Sequence, residues 1–422
     1  MSDQPLRSAL VLVNGPLGER LAGPEIRAVA FARTLRRDHS VTLAANRPRT
    51  GEYDGFRVVP ATRVRVLAEA MRHDAVLAPN IPPYVLSTRA ATGVVTIADQ
   101  YDPHDLELAS IEDPGVRERE LRLRAAMVAL QLRHADVVLC AGAAQRERLL
   151  DAARDIDRPR RPVSIDPVIV PFGITPAPPT SGQPLRARFP QIGERDTVVL
   201  WWGSVWRWLD AETPIRALQR LAPTRQDIKL VITAGRPPSK SAERFEDTEA
   251  ARALATEVGV IDRTVLFLDD WIPYEERHPY LAEADLGLTL HRFSAEAEVA
   301  ARARYMDYLA AALPCVLGRG DETSAELEAA GFATLLSEPD PDELARALVA
   351  LADGHAARAA ARAAGQRLAA AHSWEVVGEP LRVALRSVRR RRAGRAIVSL
   401  AELGDSGVYY RRKLAHRANA GR

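Results

Sequence analysis

The stretch "SAEAEVAARARYMDYLAAALPCVLG" (residues 294–318) reads as an amphipathic helix that runs into an apolar strand. Taken as a helix from about Val299, it repeats its apolar positions Val299, Ala303, Met306, Leu309, Ala310 and Leu313 on one face. Arg304 and Asp307 sit together on the flank of that face, and Arg302 lies near its other edge. Glu296 and Glu298 precede the helix. A helix with an apolar seam, flanked by two arginines and an acid and entered past two carboxylates, needs something polar to face.

Working outward, short apolar runs alternate with amphipathic stretches along the whole chain, the pattern of α/β proteins with parallel sheets. "ALVLV", "SVTLAA", "FRVVP", "DAVLAP", "GVVTIA", "DVVLCAG" and "VIVPFG" are the strands expected in the first half. The Pro/Ser/Gly-rich "TPAPPTSGQP" (175–184) reads as a linker. The alternation then restarts with "TVVLWWG", "KLVITAG", "TVLFLDDW", "DLGLTL", "PCVLG" and "ATLLS". The expected fold is α/β: two Rossmann-like doubly wound domains facing a cleft, residues 1–176 and 185–371, joined by the linker 177–184. "HSWEVVGEPLRVAL" opens a return helix (372–388) expected on the N-terminal domain, and a basic tail (389–422) follows.

Bulk composition agrees with a soluble globular enzyme: 422 residues, 47% apolar and 27% charged. From Arg382 onward there are twelve Arg/Lys against Glu402 and Asp405, a net of +10; since the whole chain is +3, residues 1–381 carry about −7. Only Lys229, Lys240 and Lys413 among the 58 basic residues are lysines, which fits a GC-rich genome better than nucleic-acid binding. The tail reads first as a solvated helical appendage and second as a candidate for contact with anionic lipid or a partner. Cys140 and Cys315 lie in apolar runs without zinc-type spacing and read as buried thiols. No apolar run reaches the ~20 residues that span a bilayer, and "SALVLVNG" is too short for a signal-peptide core. A cytoplasmic location with membrane association through the tail is the expectation.

Five segments carry candidate chemistry. In "VNGPLGERLAGPEIRAVAFARTL" (13–35), Gly15, Gly18 and Gly23 allow close backbone approach ahead of a helix start whose N–H groups suit an anion, though the spacing is not a dinucleotide fingerprint. "LWWGSVWRWLDAETPIRAL" (200–218) gathers four tryptophans beside Gly203, Arg207 and Asp210; rings such as Trp206 indicate a lined pocket, and Arg207 suits a diphosphate. "ITAGRPPS" (232–239) ends a strand with Gly235 and Arg236, either a second phosphate edge or a surface turn. The loop around Trp271 offers backbone contacts to a base. In "TIADQYDPHDLEL" (96–108), Asp99, Asp102 and His104 follow a strand, and His291 ends another. "DID" (155–157) falls in a charged, linker-like stretch and reads as no metal site.

Taken in order, these segments resemble a family-4 retaining glycosyltransferase of the GT-B type. "GPEIRAVAFARTL" is similar to its first-loop element, "VIVPFGI" to the close of its N-terminal domain, and "ARARYMDYLAAALPCVLG" to its donor-binding helix and strand. The resemblance covers residues 8 to 385. It implies a nucleotide-sugar donor, no metal or other cofactor, and retention of anomeric configuration in transfer of a hexosyl or deoxyhexosyl group. In that family two glutamates eight residues apart bracket the donor helix, one meeting the sugar and the other the ribose. Here the second acid is Asp307, and Val299 stands where the first is usual, so the resemblance places the first at Glu296, with Glu298 as runner-up. Arg302 and Arg304 then serve the diphosphate or brace the acids; Asp99, Asp102 or His104 holds acceptor or donor hydroxyls, and His291 either contacts the donor or is a packed or exposed ring. Alanine replaces the usual glycine before Leu313-Pro314. The acceptor is a sugar, a lipid-linked carrier or a secondary metabolite; nucleic acid is not expected. The competing readings are a GT-B epimerase or phosphorylase, a catalytically silent subunit, and a non-catalytic nucleotide-sugar-binding or nucleic-acid-binding protein.

Overall fold

The structure is a computed structural model, and it describes residues 5–46, 51–156, 163–175, 182–235, 247–388 and 406–414. Mostly apolar runs of four to six residues become strands buried on both faces, which is what parallel sheets covered by helices demand. The chain forms two compact units, Met1–Pro171 with Val377–Arg422, and Phe172–Val376.

The first unit contains β1 (Ser8–Pro16), β2 (Ser40–Asn46), β3 (Glu52–Tyr53), β4 (Phe56–Pro60), β5 (Ala75–Ala78), β6 (Val95–Asp99), β7 (Val137–Cys140) and β8 (Val168–Ile169). They form one sheet in the order β3-β4-β2-β1-β5-β6-β7-β8, parallel except for the β3–β4 hairpin. The second contains β9 (Thr197–Trp201), β10 (Ile228–Thr233), β11 (Val265–Leu268), β12 (Leu286–Thr289), β13 (Cys315–Gly318) and β14 (Ala333–Leu336), all parallel in the order β11-β10-β9-β12-β13-β14. Each sheet winds outward from its middle in both directions. The order therefore reverses between β1 and β5 in the first and between β9 and β12 in the second, leaving a crevice at the carboxyl ends of those strands. Every apolar run anticipated as a strand is one; the two-residue β3 is the addition. Both cysteines are buried free thiols.

Four local expectations are corrected. The chain does not run as one helix from Val299: Ala295–Val299 is a short helix, Ala300–Arg302 is extended, and a second helix spans Ala303–Ala310. Glu296 and Glu298 thus lie within a helix rather than ahead of one. Ser294 starts it, its hydroxyl accepting from Ala297 N–H at 3.4 Å. The return helix is broken at Gly378 into Trp374–Val377 and Glu379–Ser387; the latter packs on β8 and on the helix Gly23–Leu35, with Arg382 paired to Asp38. The division between units falls at Pro171/Phe172, because Phe172 meets the Trp374 ring and Ile174 bridges Ser373 within the second unit. Residues 406–414 of the tail form a helix docked on the first unit rather than a solvated appendage: the Ser406 hydroxyl is buried 2.9 Å from that of Ser87. Residues 389–405 and 415–422 of that tail, and 176–181 of the linker, lie outside the described residues.

Candidate active site

At the reversal of the second sheet, the backbone at the ends of β9 and β12 is held by one tyrosine. Gly287 in β12 has no Cβ because the Tyr308 ring occupies its place; a Cβ there would stand 2.9 Å from that ring. The Tyr308 hydroxyl accepts from Trp202 N–H at 3.2 Å and lies 2.9 Å from the Leu288 carbonyl and 3.2 Å from that of Leu200. It thereby satisfies backbone groups where β9 and β12 diverge, and fixes the helix Ala303–Ala310 across the crevice. That helix presents Arg304 and Asp307.

Asp307 accepts from Arg277 Nε at 2.9 Å and from Trp202 Nε1 at 3.2 Å. Burial raises its carboxyl above the ordinary range, against the lowering influence of Arg277. Arg277 is itself buried and stacks on the Tyr274 ring at 3.6 Å. Arg304 donates to the Ser204 carbonyl at 3.2 Å. Gly203, at φ +84°, leaves room for that guanidinium, which a Cβ would approach to 3.2 Å. Burial pushes Arg304 down to about 10, and Arg302 beside it pushes the same way; the group stays cationic at neutral pH but short of compensating charge.

Arg302 and Glu296 form a pair at 2.9 Å with side chains only 6% and 3% exposed. Burial disfavours the Arg302 cation, yet Glu296 together with Tyr305 and Asp321 more than offsets this and holds the pKa above its usual value. Glu298, by contrast, is exposed. The His291 ring packs where Gly318 and Gly320 have no side chains; burial and Arg302 push it down to about 4, so it is neutral at pH 7. Among the described residues, Arg277 Nη2, Arg302 Nε, Arg304 Nη1, Tyr305 Oη and Asp321 Oδ2 are buried without a hydrogen-bond partner. Such atoms also occur away from this crevice, at Arg119 Nε and Arg124 Nε for example; here Arg302, Arg304 and Tyr305 lie at the start of one helix and Arg277 against its Asp307.

The sequence pointed to Glu296, Arg302, Arg304, Asp307 and His291, and the structure brings these together. Arg277, Tyr305, Tyr308 and Asp321 stand among them and were not singled out from the sequence: neither tyrosine is on the apolar seam read for that helix, and Arg277 sits among the acids that follow Pro273. Other candidates serve the scaffold. Asp210 is buried and caps the helix Glu212–Leu221 through Thr213 N–H at 3.0 Å. Of the four clustered tryptophans Trp201 is wholly buried, while Trp206 and Trp208 stack at 5.6 Å and pack on the core; Trp202 alone meets Asp307. Arg207 sits in the same loop, its carbonyl accepting from Arg292 at 3.1 Å. Half-buried Trp271 brings its backbone against Gly235, and Arg236 lies outside the described residues.

In the first unit, the helix start at Gly23 is not open to an anion as expected. Glu25 accepts from Ala22 N–H at 3.0 Å, and its carboxylate fills the space that Gly15 leaves. Gly23 itself faces open space, so no close approach demands a glycine there. Asp99 forms a buried two-point pair with Arg27, Nε–Oδ2 2.8 Å and Nη2–Oδ1 2.9 Å, and so serves the scaffold. Asp102, His104 and Glu107, all partly buried, each place one ligand-type atom within 4.8 Å of the others. His104 Nδ1 lies 3.1 Å from Glu107; burial works against the imidazolium, but Glu107 and Asp102 raise the pKa overall.

No protein-family model and no curated protein matches the chain. Solved structures do. A glycosyltransferase of lipopolysaccharide biosynthesis, WaaG, superposes with a TM-score of 0.63 at 18% identity over 89% of this chain and 98% of its own. Anabaena HepE in complex with UDP-glucose gives 0.66 at 16% identity, covering 90% and 100%. A UDP-forming trehalose-phosphate synthase from Burkholderia vietnamiensis gives 0.66 at 15% identity, covering 91% and 99%. The chain therefore has the GT-B fold of these glycosyltransferases, with two Rossmann-like domains.

Proposed function

We propose that this protein transfers a hexosyl or deoxyhexosyl group from a nucleotide-diphosphate sugar to an acceptor, with retention of anomeric configuration, in the manner of family-4 enzymes. The observation that carries this is the set of buried, incompletely bonded guanidinium groups of Arg277, Arg302 and Arg304 at the carboxyl ends of β9 and β12. A diphosphate supplies the acceptor oxygens and the negative charge that Arg304 lacks. Asp307 keeps spare lone pairs for ribose hydroxyls while Arg277 and Trp202 orient it. Glu296, held by Arg302, is assigned to the sugar. Asp102 and His104 are assigned to acceptor hydroxyls.

In such a reaction the anomeric C–O bond breaks toward the diphosphate, the arginines stabilise the charge that develops on it, and the departing phosphate oxygen accepts the proton of the attacking hydroxyl on the same face. The leaving group needs no side-chain acid in this scheme, and the arginines supply the countercharge without a metal. HepE is described with UDP-glucose, which makes that sugar the first donor to test. The experiment is a thermal-shift panel of UDP-, GDP-, dTDP- and ADP-sugars, since saturation at 100 times Kd stabilises by about 2.7 kcal/mol. At least one is expected to stabilise the protein, and Arg304→Met to abolish the response. A panel with no responder overturns the proposal. Incubation with the responding donor alone separates transfer from epimerisation, which needs no acceptor.

A further inference from the structure

Asp321 follows β13 by three residues and is a buried carboxylate whose two oxygens have different surroundings. Oδ1 caps the helix Glu322–Ala329, accepting from Ser324 N–H at 2.9 Å, and the Ser324 hydroxyl donates back to the Asp321 carbonyl at 2.8 Å. Oδ2 is buried with no hydrogen-bond partner. A cap needs a single acceptor oxygen, which serine or asparagine supplies without charge. Capping therefore leaves the second oxygen and the buried charge of Asp321 unexplained, and burying a charge is costly unless a counterion shares the site.

The turn before Asp321 is packed against the elements that carry Glu296. A Cβ on Gly320 would stand 2.9 Å from the Ala297 carbonyl oxygen and 3.1 Å from the His291 ring, and one on Gly318 would stand 3.0 Å from His291 Nε2. Backbone this close fixes Asp321 relative to the helix Ala295–Val299. The counterion is Arg302. Its attraction lowers the Asp321 carboxyl against the upward push of burial, and Asp321 in turn helps Glu296 and Tyr305 to hold the Arg302 pKa up. His291 is neutral at pH 7 and supplies no second cation. Glu296 meets Arg302 directly at 2.9 Å, while Arg302 Nε has no hydrogen-bond partner. Two buried carboxylates thus draw on one guanidinium.

We propose that Asp321 is a positioning residue for Glu296. The pull of a second carboxylate keeps Arg302 from turning with its partner, so the guanidinium becomes a fixed post against which the Glu296 carboxylate is aimed. With Glu296 alone, the ion pair would be free to swing as a unit about the extended segment that ends at Arg302. That Glu296 meets the donor sugar rests on the glycosyl-transfer reading; that Asp321 and Glu296 share Arg302 does not.

The test is a double-mutant cycle of Glu296→Gln and Asp321→Asn in the full-length chain, with denaturant unfolding followed by tryptophan fluorescence. Each single variant keeps its shape and leaves Arg302 one carboxylate, and asparagine still accepts from Ser324 N–H. Together they leave Arg302 with neither. The double variant is expected to raise the unfolding equilibrium constant at least about tenfold beyond the product of the two single effects. A double variant that does not fold where both singles do supports the proposal in the same way. In an Arg302→Met background Asp321→Asn is expected to lower the unfolding constant, since it removes a carboxylate whose cation has gone. A cycle whose effects simply multiply overturns the proposal and leaves Asp321 a helix cap. With a donor that the protein turns over, Asp321→Asn is expected to lower kcat about tenfold with the donor KM unchanged within about twofold, and Asp321→Ser, which also caps, to match it. An unchanged kcat in both variants likewise overturns the positioning role. A chain that no donor stabilises speaks against the transfer reading instead, and the cycle still decides whether Asp321 acts on the Glu296–Arg302 pair.

Discussion

Asp307→Asn and Arg277→Met are expected to be strongly non-additive. In the native protein Asp307 Oδ1 accepts from Arg277 Nε and Oδ2 from Trp202 Nε1, with side chains 1% exposed for Arg277 and 14% for Asp307. An asparagine has one acceptor oxygen for two donors, so its amino group must face one of them and Arg277 loses its countercharge. Breaking a buried pair from one side costs about 3–5 kcal/mol; the lower end, about 3, applies here because Arg277 keeps the Tyr274 carbonyl and ring. Arg277→Met leaves a carboxyl that burial already favours in its protonated form, and should cost about 2 kcal/mol. In the double variant neither charge remains and the asparagine oxygen still accepts from Trp202. Its cost should be about 3 kcal/mol instead of the additive 5, a coupling of about 2. All six tryptophans belong to the second unit, so denaturant unfolding followed by tryptophan fluorescence reports that unit alone. Additivity within about 0.5 kcal/mol would refute the assignment of Asp307 and Arg277 as an energetically coupled pair.

Acid should destabilise the second unit between pH 6.5 and 4, because His291 and His278 are each pushed down to about 4 by burial. The unfolded chain binds more protons in that window, so stability is full above pH 6.5 and falls as pH drops; each histidine contributes up to about 3 kcal/mol, opposed in part by the raised carboxyls of Asp307 and Asp321. His291→Asn should flatten the stability profile there, and an unchanged profile argues against the buried neutral ring. Ala312→Gly should stabilise by about 0.5–1 kcal/mol, since Ala312 holds φ at +48°, where glycine escapes a penalty of about 1–2 kcal/mol and loses part of that gain to chain entropy. A lower melting temperature would contradict this. Glu296→Ala should abolish transfer while leaving donor binding within a few-fold, and Val299→Glu in that background should not restore turnover; product assays check both.

The doubly wound sheets were legible because buried parallel strands need unbroken apolar runs, which periodicity alone detects. Breaks inside amphipathic stretches were not. Ala300–Arg302 carries helix-compatible residues, and nothing local announces that Arg302 adopts the extended conformation. The break at Gly378 does carry a local signal, since Pro380 suits the first turn of the helix Glu379–Ser387 and would remove a hydrogen bond from any helix continuing through it. The limit met at Arg302 applies to the tail. Its charge is obvious, but the docking of Ser406 on Ser87 is a contact across more than three hundred residues that no local pattern encodes.

In the candidate site, residue types were legible and their assignments to ligand or scaffold were not. A tryptophan cluster signals a demand for aromatic bulk without saying that Trp201 fills the core and Trp202 turns to Asp307. An aspartate before a helix signals a cap or a ligand equally, and Asp210 proves to be a cap. The proposed placement of the first acid at Glu296 has a geometric argument behind it. On one continuous helix, residues 299 and 307 would stand about 12 Å apart along the axis. Ending the helix at Val299 and restarting it at Ala303 instead folds Glu296 back until its carboxylate lies 2.9 Å from Arg302, at the start of the helix that carries Asp307. The reach between the two acids is then set by the extended segment and its ion pair, not by helical pitch. Under the proposed assignment, position 299 is free to be valine.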